Sequence, residues 1–204
     1  MKIYLIEQRS DAWRALRLGK ITGTSFDVMA AGKKPTIETL CLRTAAERIT
    51  GVSCDNVRIT DAMQYGIDTE SEAIAAYEIE TLAHVQRVGF LELDEYVGLS
   101  PDGLVGKDGG VEVKCPQPHT HLFYLSRKGK AWTAYRWQVQ GALWITGRKW
   151  WDFASYCPAF GDKRLIIERV EPDAEAFEML ATGTEHCRKR IAELVANYWK
   201  GNNG

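Results

Sequence analysis

The five cysteines of this chain, Cys41, Cys54, Cys115, Cys157 and Cys187, are odd in number and widely spaced, and no two stand as Cys-x-x-Cys. That pattern offers no framework for a disulfide-stapled fold or a zinc site, and no set of four for an iron–sulfur cluster. The thiols read instead as small apolar residues in or near a core. A long apolar run is also missing: no stretch reaches the roughly 18 residues of a membrane span. The first residues, Met-Lys-Ile-Tyr-Leu-Ile-Glu, reach an acid almost at once and lack the apolar segment of a signal peptide. A cytoplasmic location and no membrane partner are therefore expected. Repeats, low-complexity tracts and long linkers are absent. Net charge is almost absent too, at −1, which by itself argues against a simple nucleic-acid coat.

What is present fits one domain spanning residues 1–204, with 45% hydrophobic and 26% charged residues. The charge is unevenly spread. Residues 1–50 hold 9 Lys+Arg against 5 Asp+Glu, residues 51–110 hold 3 against 12, and residues 111–204 hold 14 against 10. An acidic middle thus lies between two basic flanks. Carboxylates that converge in space need cations, and basic surfaces hold phosphates. Solvated acidic helix faces account for part of the excess.

The pattern predicts a short helix over Asp11–Leu18 and a second one capped by Thr24 or Ser25. A third is expected from a Thr36 cap through Ile49 to Gly51, and a long helix from about Asp61 to about Ala83. Val85–Leu93, Val97–Ser100 and Val111–Cys115 read as strands, with Asp108-Gly109-Gly110 as a turn and Pro116 and Pro118 ending the third strand. Helices follow at 119–127 and 131–146, then strands at Lys149–Cys157 and Arg164–Val170. A last helix runs from Pro172-Asp173 to about Trp199. The class is α/β or α+β, with a central mixed sheet flanked by helices.

The chemistry concentrates in Ser100-Pro101-Asp102-Gly103 and Gly110-Val111-Glu112-Val113-Lys114-Cys115-Pro116. Side chains alternate along a strand, so Glu112 and Lys114 share one face while Val111, Val113 and Cys115 take the other. A hairpin-like approach sets Asp102 beside Glu112. Two carboxylates so placed repel unless a cation lies between them. Oxygen donors of this kind suit Mg2+ or Mn2+, and the Val113 carbonyl adds another oxygen. Beside a metal, the Lys114 ammonium orients water, stabilises developing charge or acts as a base. On the long helix, Glu70 stands one turn after Gly66, a pairing that lets a strand or nucleic-acid backbone approach closely. Gln138 is a candidate for holding a phosphate oxygen or a water near the metal, equally readable as a helix-contact residue.

These residues occur in the order seen in a known family. The chain resembles the lambda-type phage exonucleases, also called alkaline exonucleases or viral recombinases, of the PD-(D/E)xK nuclease superfamily. The resemblance runs from about Asp11 to Pro158 through Asp11-Ala12-Trp13, Leu16-Arg17-Leu18-Gly19, Ile21-Thr22, Gly66-x-x-x-Glu70, Ser100-Pro101-Asp102-Gly103-Leu104, Glu112-Val113-Lys114-Cys115-Pro116, Gln138-Val139-Gln140, Trp144-Ile145-Thr146 and Phe153-Ala154-x-Tyr156. It implies a restriction-endonuclease-like core. Asp102 and Glu112 would ligate metal directly, with Glu70 binding metal or its waters. Two Mg2+ ions per site are implied, Lys114 as the catalytic lysine and Gln138 as support. Arg17, with Thr24 or Ser25, would bind the 5′-phosphate of the digested strand. The family forms ring-shaped homotrimers that thread double-stranded DNA, degrade one strand 5′ to 3′ and leave 3′ tails for a single-strand annealing protein in recombination.

Such an enzyme must unpair the duplex end against stacking of roughly 1.4 kcal/mol per base step. An apolar wedge offsets that cost. Met63, one and two turns before Gly66 and Glu70, is the candidate, with helix packing as its plainer reading. Two other functional readings compete. An endonuclease of the same fold usually carries extra recognition elements, for which 204 residues leave little room. An inactive DNA-binding relative would be expected to have lost an acid or the lysine.

Overall fold

The computed structural model describes residues 1–55, 60–127 and 129–201. Its central element is a five-stranded mixed sheet in the order β2-β5-β6-β7-β8, made of Val85–Gln86, Gly103–Val105, Gly109–Lys114, Trp150–Tyr156 and Leu165–Val170. Only the β6–β7 pair is parallel; the other pairs run antiparallel. A second, three-stranded antiparallel sheet joins β1 (Lys2–Tyr4), β3 (Phe90–Glu92) and β4 (Gly98–Leu99). The expected class is therefore found, with two sheets in place of one.

The helices cover both faces of the larger sheet. α4 (Asp61–Thr81) lays Ala73, Ile74 and Tyr77 on Val111, Val113, Ala154 and Tyr156. Burying such a helical stripe on a sheet is what makes the helix stable in water. The opposite face carries Leu104, Trp151 and Val170 against α6 (Arg136–Thr146) and α7 (Ala174–Gly201). α7 packs in turn on α2 (Phe26–Ala31) and α3 (Lys34–Thr50). α1 (Asp11–Arg17) is capped by Ser10, and α5 (Pro118–Ser126) follows β6.

Several expectations shift for physical reasons. Thr36 lies inside α3, because Pro35 suits the first turn and starts the helix earlier; Gly51 ends it in the left-handed conformation, φ 69°. Neither Thr24 nor Ser25 caps α2 through its side chain, since Gly23–Ser25 forms a 3-10 turn of its own. The segment 131–146 divides into a 3-10 turn, Ala131–Tyr135, and α6. The strand expected over Val85–Leu93 breaks between the sheets at Gly89. There the backbone is so close to Ile6 that a Cβ would lie 2.2 Å from the Ile6 carbonyl oxygen.

Gly109 and Gly110 are strand residues rather than a turn. The rings of Trp150 and Trp151 on the neighbouring β7 occupy the space of their missing side chains: a Cβ at Gly110 would fall 2.3 Å from the Trp151 ring. Trp151 is fully buried, so the ring has nowhere to move. This contact seats β6, and with it Glu112 and Lys114, against β7. Gly110→Ala should destabilise the fold by about 1–3 kcal/mol through overpacking, read as a lower denaturant midpoint at unchanged slope; an unchanged midpoint would show that the tryptophan yields.

Candidate active site

The site grows from the β5–β6 hairpin. Gly103 pairs with Val111, and carrying that register one residue further sets Asp102 beside Glu112. The Val113 backbone N–H donates to Asp102 Oδ2 at 2.7 Å, which pins the carboxylate to β6. Alternation along β6 places Val111 and Val113 under α4 and turns Glu112 to the α6 side. Glu112 is buried and accepts from Lys114 Nζ at 2.5 Å. The ammonium also lies 4.8 Å from the centre of the Tyr135 ring, which stacks on Phe153.

Electrostatics follow from this crowding. Burial first, and the neighbouring Glu112 carboxylate second, push the Asp102 carboxyl up to about 8, against the opposing pull of Lys114. Burial works to lower Lys114, but Glu112 and Asp102 outweigh it and hold the ammonium above its usual range. Lys114 is thus a charged group in this arrangement rather than a ready base. Burial, with help from Glu70 and Asp102, pushes the Cys115 thiol up to about 12, so it is no nucleophile.

The third acid stands apart. Among the described residues, no group of three or more Asp, Glu, His or Cys side chains is gathered to hold a metal ion. Glu70, on α4, gives one oxygen to Arg9 at 3.2 Å and the other to Arg87. Asp102 and Glu112 pair directly, while Glu70 reaches them from α4: its charge adds to the rise of Asp102, and its two oxygens are bonded by the arginines. The donor set still fits a hard divalent cation. Mg2+ commonly takes one or two carboxylates and completes its shell with water and phosphate oxygens, and Asp102 and Glu112, with the Val113 carbonyl as a further candidate, are all oxygen donors. Gly66 passes the end of β6, but a Cβ there would meet nothing nearer than the Cys115 carbonyl oxygen at 3.9 Å. The protein's own backbone does not require this glycine.

Arg17 lies on the other side of the Asp102 loop. Its guanidinium donates to Ser100 Oγ and Thr22 Oγ1, each at 3.2 Å, and stacks 4.3 Å from the centre of a Trp13 ring. Its hydroxyl partners are thus Ser100 and Thr22; Thr24 and Ser25 follow in the 3-10 turn. Thr24 is exposed and lines a hollow of about 210 Å³ with Gln138, Tyr135 and Trp137. Gln138 and Thr24 thus sit together beside the ring under Lys114, while Ser25 does not line the hollow. Met63 is 44% exposed in the first turn of α4, so it is not a core residue.

Sequence reading missed the supporting groups. Gln8 Nε2 donates to both the Val88 and Pro101 carbonyls, at 3.0 and 2.8 Å. Trp13 Nε1 donates to Ser100 Oγ at 2.8 Å and also reaches the Gly89 carbonyl. Tyr135, Arg9 and Arg87 complete the surroundings. No periodicity marks them, although Trp13, Ser100 and Pro101 stand in the motifs that carry the resemblance.

Comparison with known proteins agrees with this geometry. No curated protein matches in sequence. In structure, the chain is similar to an alkaline exonuclease (LHK-Exo) from Laribacter hongkongensis, at 32% identity and a TM-score of 0.79 over 94% of this chain and 99% of that one. The same enzyme in complex with dAMP matches equally. A phage-related exonuclease from Haemophilus somnus 129PT shares the fold at 14% identity, with a TM-score of 0.70 over 88% of this chain and 96% of that one. Residues 12–149, a span that runs from Trp13 and Arg17 through Asp102, Glu112 and Lys114 to Gln138, match the YqaJ-like viral recombinase domain, and the chain belongs to that family.

Proposed function

We propose that this chain, as one nuclease domain over residues 1–204, is a Mg2+-dependent exonuclease that degrades one strand of linear double-stranded DNA from 5′ to 3′. It leaves 3′ single-stranded tails for recombination by single-strand annealing. The observation that carries this reading is the pairing of Asp102 with Glu112 across the hairpin, with Lys114 on the same face. The similarity to an alkaline exonuclease over nearly the full length supports it. Two ions per site, Mn2+ as a substitute, a ring-shaped homotrimer and an annealing protein as partner belong to the same proposal.

The divalent ion, when bound, supplies an activated water and a counter-charge for the phosphate oxygens. Asp102 and Glu112 would hold it, and Glu70 would bind it or its waters. The pinned Asp102 and the buried Glu112 spend little freedom in doing so, because both are already fixed. Lys114 carries a positive charge to the face where the pentavalent phosphorus builds negative charge. Gln138 orients a water or phosphate oxygen from the hollow it shares with Thr24. Arg17, over the Trp13 ring, offers its fork to a terminal 5′-phosphate together with Thr24 or Ser25, and the exposed Met63 wedges the fork.

The deciding assay is digestion of end-labelled linear duplex beside closed circular DNA in Mg2+. Loss of the linear form alone is expected; nicking of the circle would make the chain an endonuclease. Asp102→Ala and Lys114→Ala should each lower the cleavage rate by roughly 10²–10⁴, with duplex binding retained through phosphate contacts. Undiminished cleavage in either variant, or in excess chelator, would sink the site.

End recognition makes a separate expectation. Duplex bearing a 5′-phosphate should be degraded faster than 5′-hydroxyl duplex, and Arg17→Ala should narrow the ratio. Equal wild-type rates on both ends would remove the pocket. For the wedge, Met63→Ala should slow blunt duplex while sparing ends already mismatched; because the residue is exposed, its melting temperature should stay within about 1–2 °C of wild type. Equal slowing on both substrates would leave the wedge elsewhere.

A further inference from the structure

Glu70 has both carboxylate oxygens engaged, one by each of two arginines, and its side chain is only 14% exposed. The arginines are not buried with it: Arg9 and Arg87 are 47% and 48% exposed. Each oxygen keeps a free lone pair, but a cation approaching Glu70 would meet the positive charge of both guanidiniums and compete with them for the carboxylate. Two guanidiniums thus serve the single carboxylate of Glu70, while Lys114 serves Glu112. A divalent cation would repel the two guanidiniums and a polyanionic strand would attract them, so both ligands favour the arginines changing partners.

The placement of the pair is built rather than incidental. Gln8 Nε2 bonds the Val88 and Pro101 carbonyls together. The residues next in sequence to these three anchors are Arg9, Arg87 and Asp102, so one side-chain amide fixes both arginines and a candidate metal ligand about a single point. Arg9 is held with φ 69°, a left-handed conformation uncommon outside glycine and asparagine. Such backbones persist where the surroundings impose them.

We propose that Arg9 and Arg87 are DNA-phosphate contacts held in reserve by Glu70: they bind the carboxylate in the empty enzyme and take up backbone phosphates of the substrate strand once Glu70 turns to the cation. The inference rests on the nuclease reading above. Guanidinium suits both states, because its planar fork meets carboxylate and phosphate alike. A lysine pair would offer point charges without that shared geometry. The exchange also couples the two ligands: cation binding frees the groups that hold DNA, so each ligand should strengthen the other.

The test is duplex binding, read by fluorescence anisotropy in the Lys114→Ala background so that DNA is not consumed, in Mg2+ and in chelator. With Mg2+, R9Q/R87Q should bind about tenfold more weakly, and the slope of log affinity against log salt should fall by roughly 1–2. In chelator the loss should be smaller, because Glu70 already occupies both groups. Glu70→Gln should tighten binding in chelator, and adding R9Q/R87Q should cancel that gain. Equal affinity and salt slope with and without the arginines, in both buffers, would make them counter-ions of Glu70 only and overturn the proposal. If R9Q/R87Q melts early, Glu70→Gln alone decides, since it keeps both arginines; no tightening in chelator overturns the exchange. Failure of the parent protein to bind duplex at all would instead remove the nuclease reading, and this inference with it.

Discussion

The Val113 N–H to Asp102 bond is the constraint on which the site depends. It ties a loop residue to the middle of β6, between the two charged side chains that share the opposite pleat. The bond holds only while the hairpin register holds, and β6 itself is seated against β7 because Gly109 and Gly110 admit the Trp150 and Trp151 rings. A slip of one residue along β6 would turn Glu112 and Lys114 under α4 and bring two valines into the site. Core packing and placement of the carboxylates are thus one requirement.

The same crowding sets the chemistry. Two acids in a partly dry hairpin cannot both stay charged at low cost. Lys114 relieves the repulsion in part by bonding Glu112, and the remaining strain shows as the raised Asp102. A divalent ion between the two carboxylates would relieve it more fully. Glu70 adds to the repulsion on Asp102 from the neighbouring helix, and its own carboxylate is held by two cations.

The smaller sheet serves the site from outside. β1, β3 and β4 bring Gln8, Trp13 and Ser100 around the Asp102 loop, and the same loop gives Arg17 its hydroxyl partner. The acidic centre and the candidate 5′-phosphate residue are therefore held by one short segment, Ser100–Asp102. Among the described residues no helix is long and apolar enough to cross a membrane, and α7, half polar along its length, is spent on covering α2, α3 and α6.

By itself the sequence determined the elements whose signals are local. Alternation along Val111–Cys115 told which side chains share a face, Gly51 marked a helix end, and Asp102 opposite Glu112 followed from spacing, because hairpins are local in the chain. Tertiary structure alone decided the rest. It broke Val85–Leu93 between two sheets at Gly89, where contact with Ile6 comes from a residue more than eighty positions away. It turned Asp108-Gly109-Gly110 from a turn into the start of a strand, because the tryptophans that need those glycines lie on a partner joined through a long crossover. It gave Glu70 the two arginines Arg9 and Arg87 as partners, and it gave Arg17 hydrogen bonds to Thr22 and Ser100. Periodicity reports the face a side chain takes on its own element; which distant group meets that face depends on how the elements pack, and a single chain read in order carries no local signal for that.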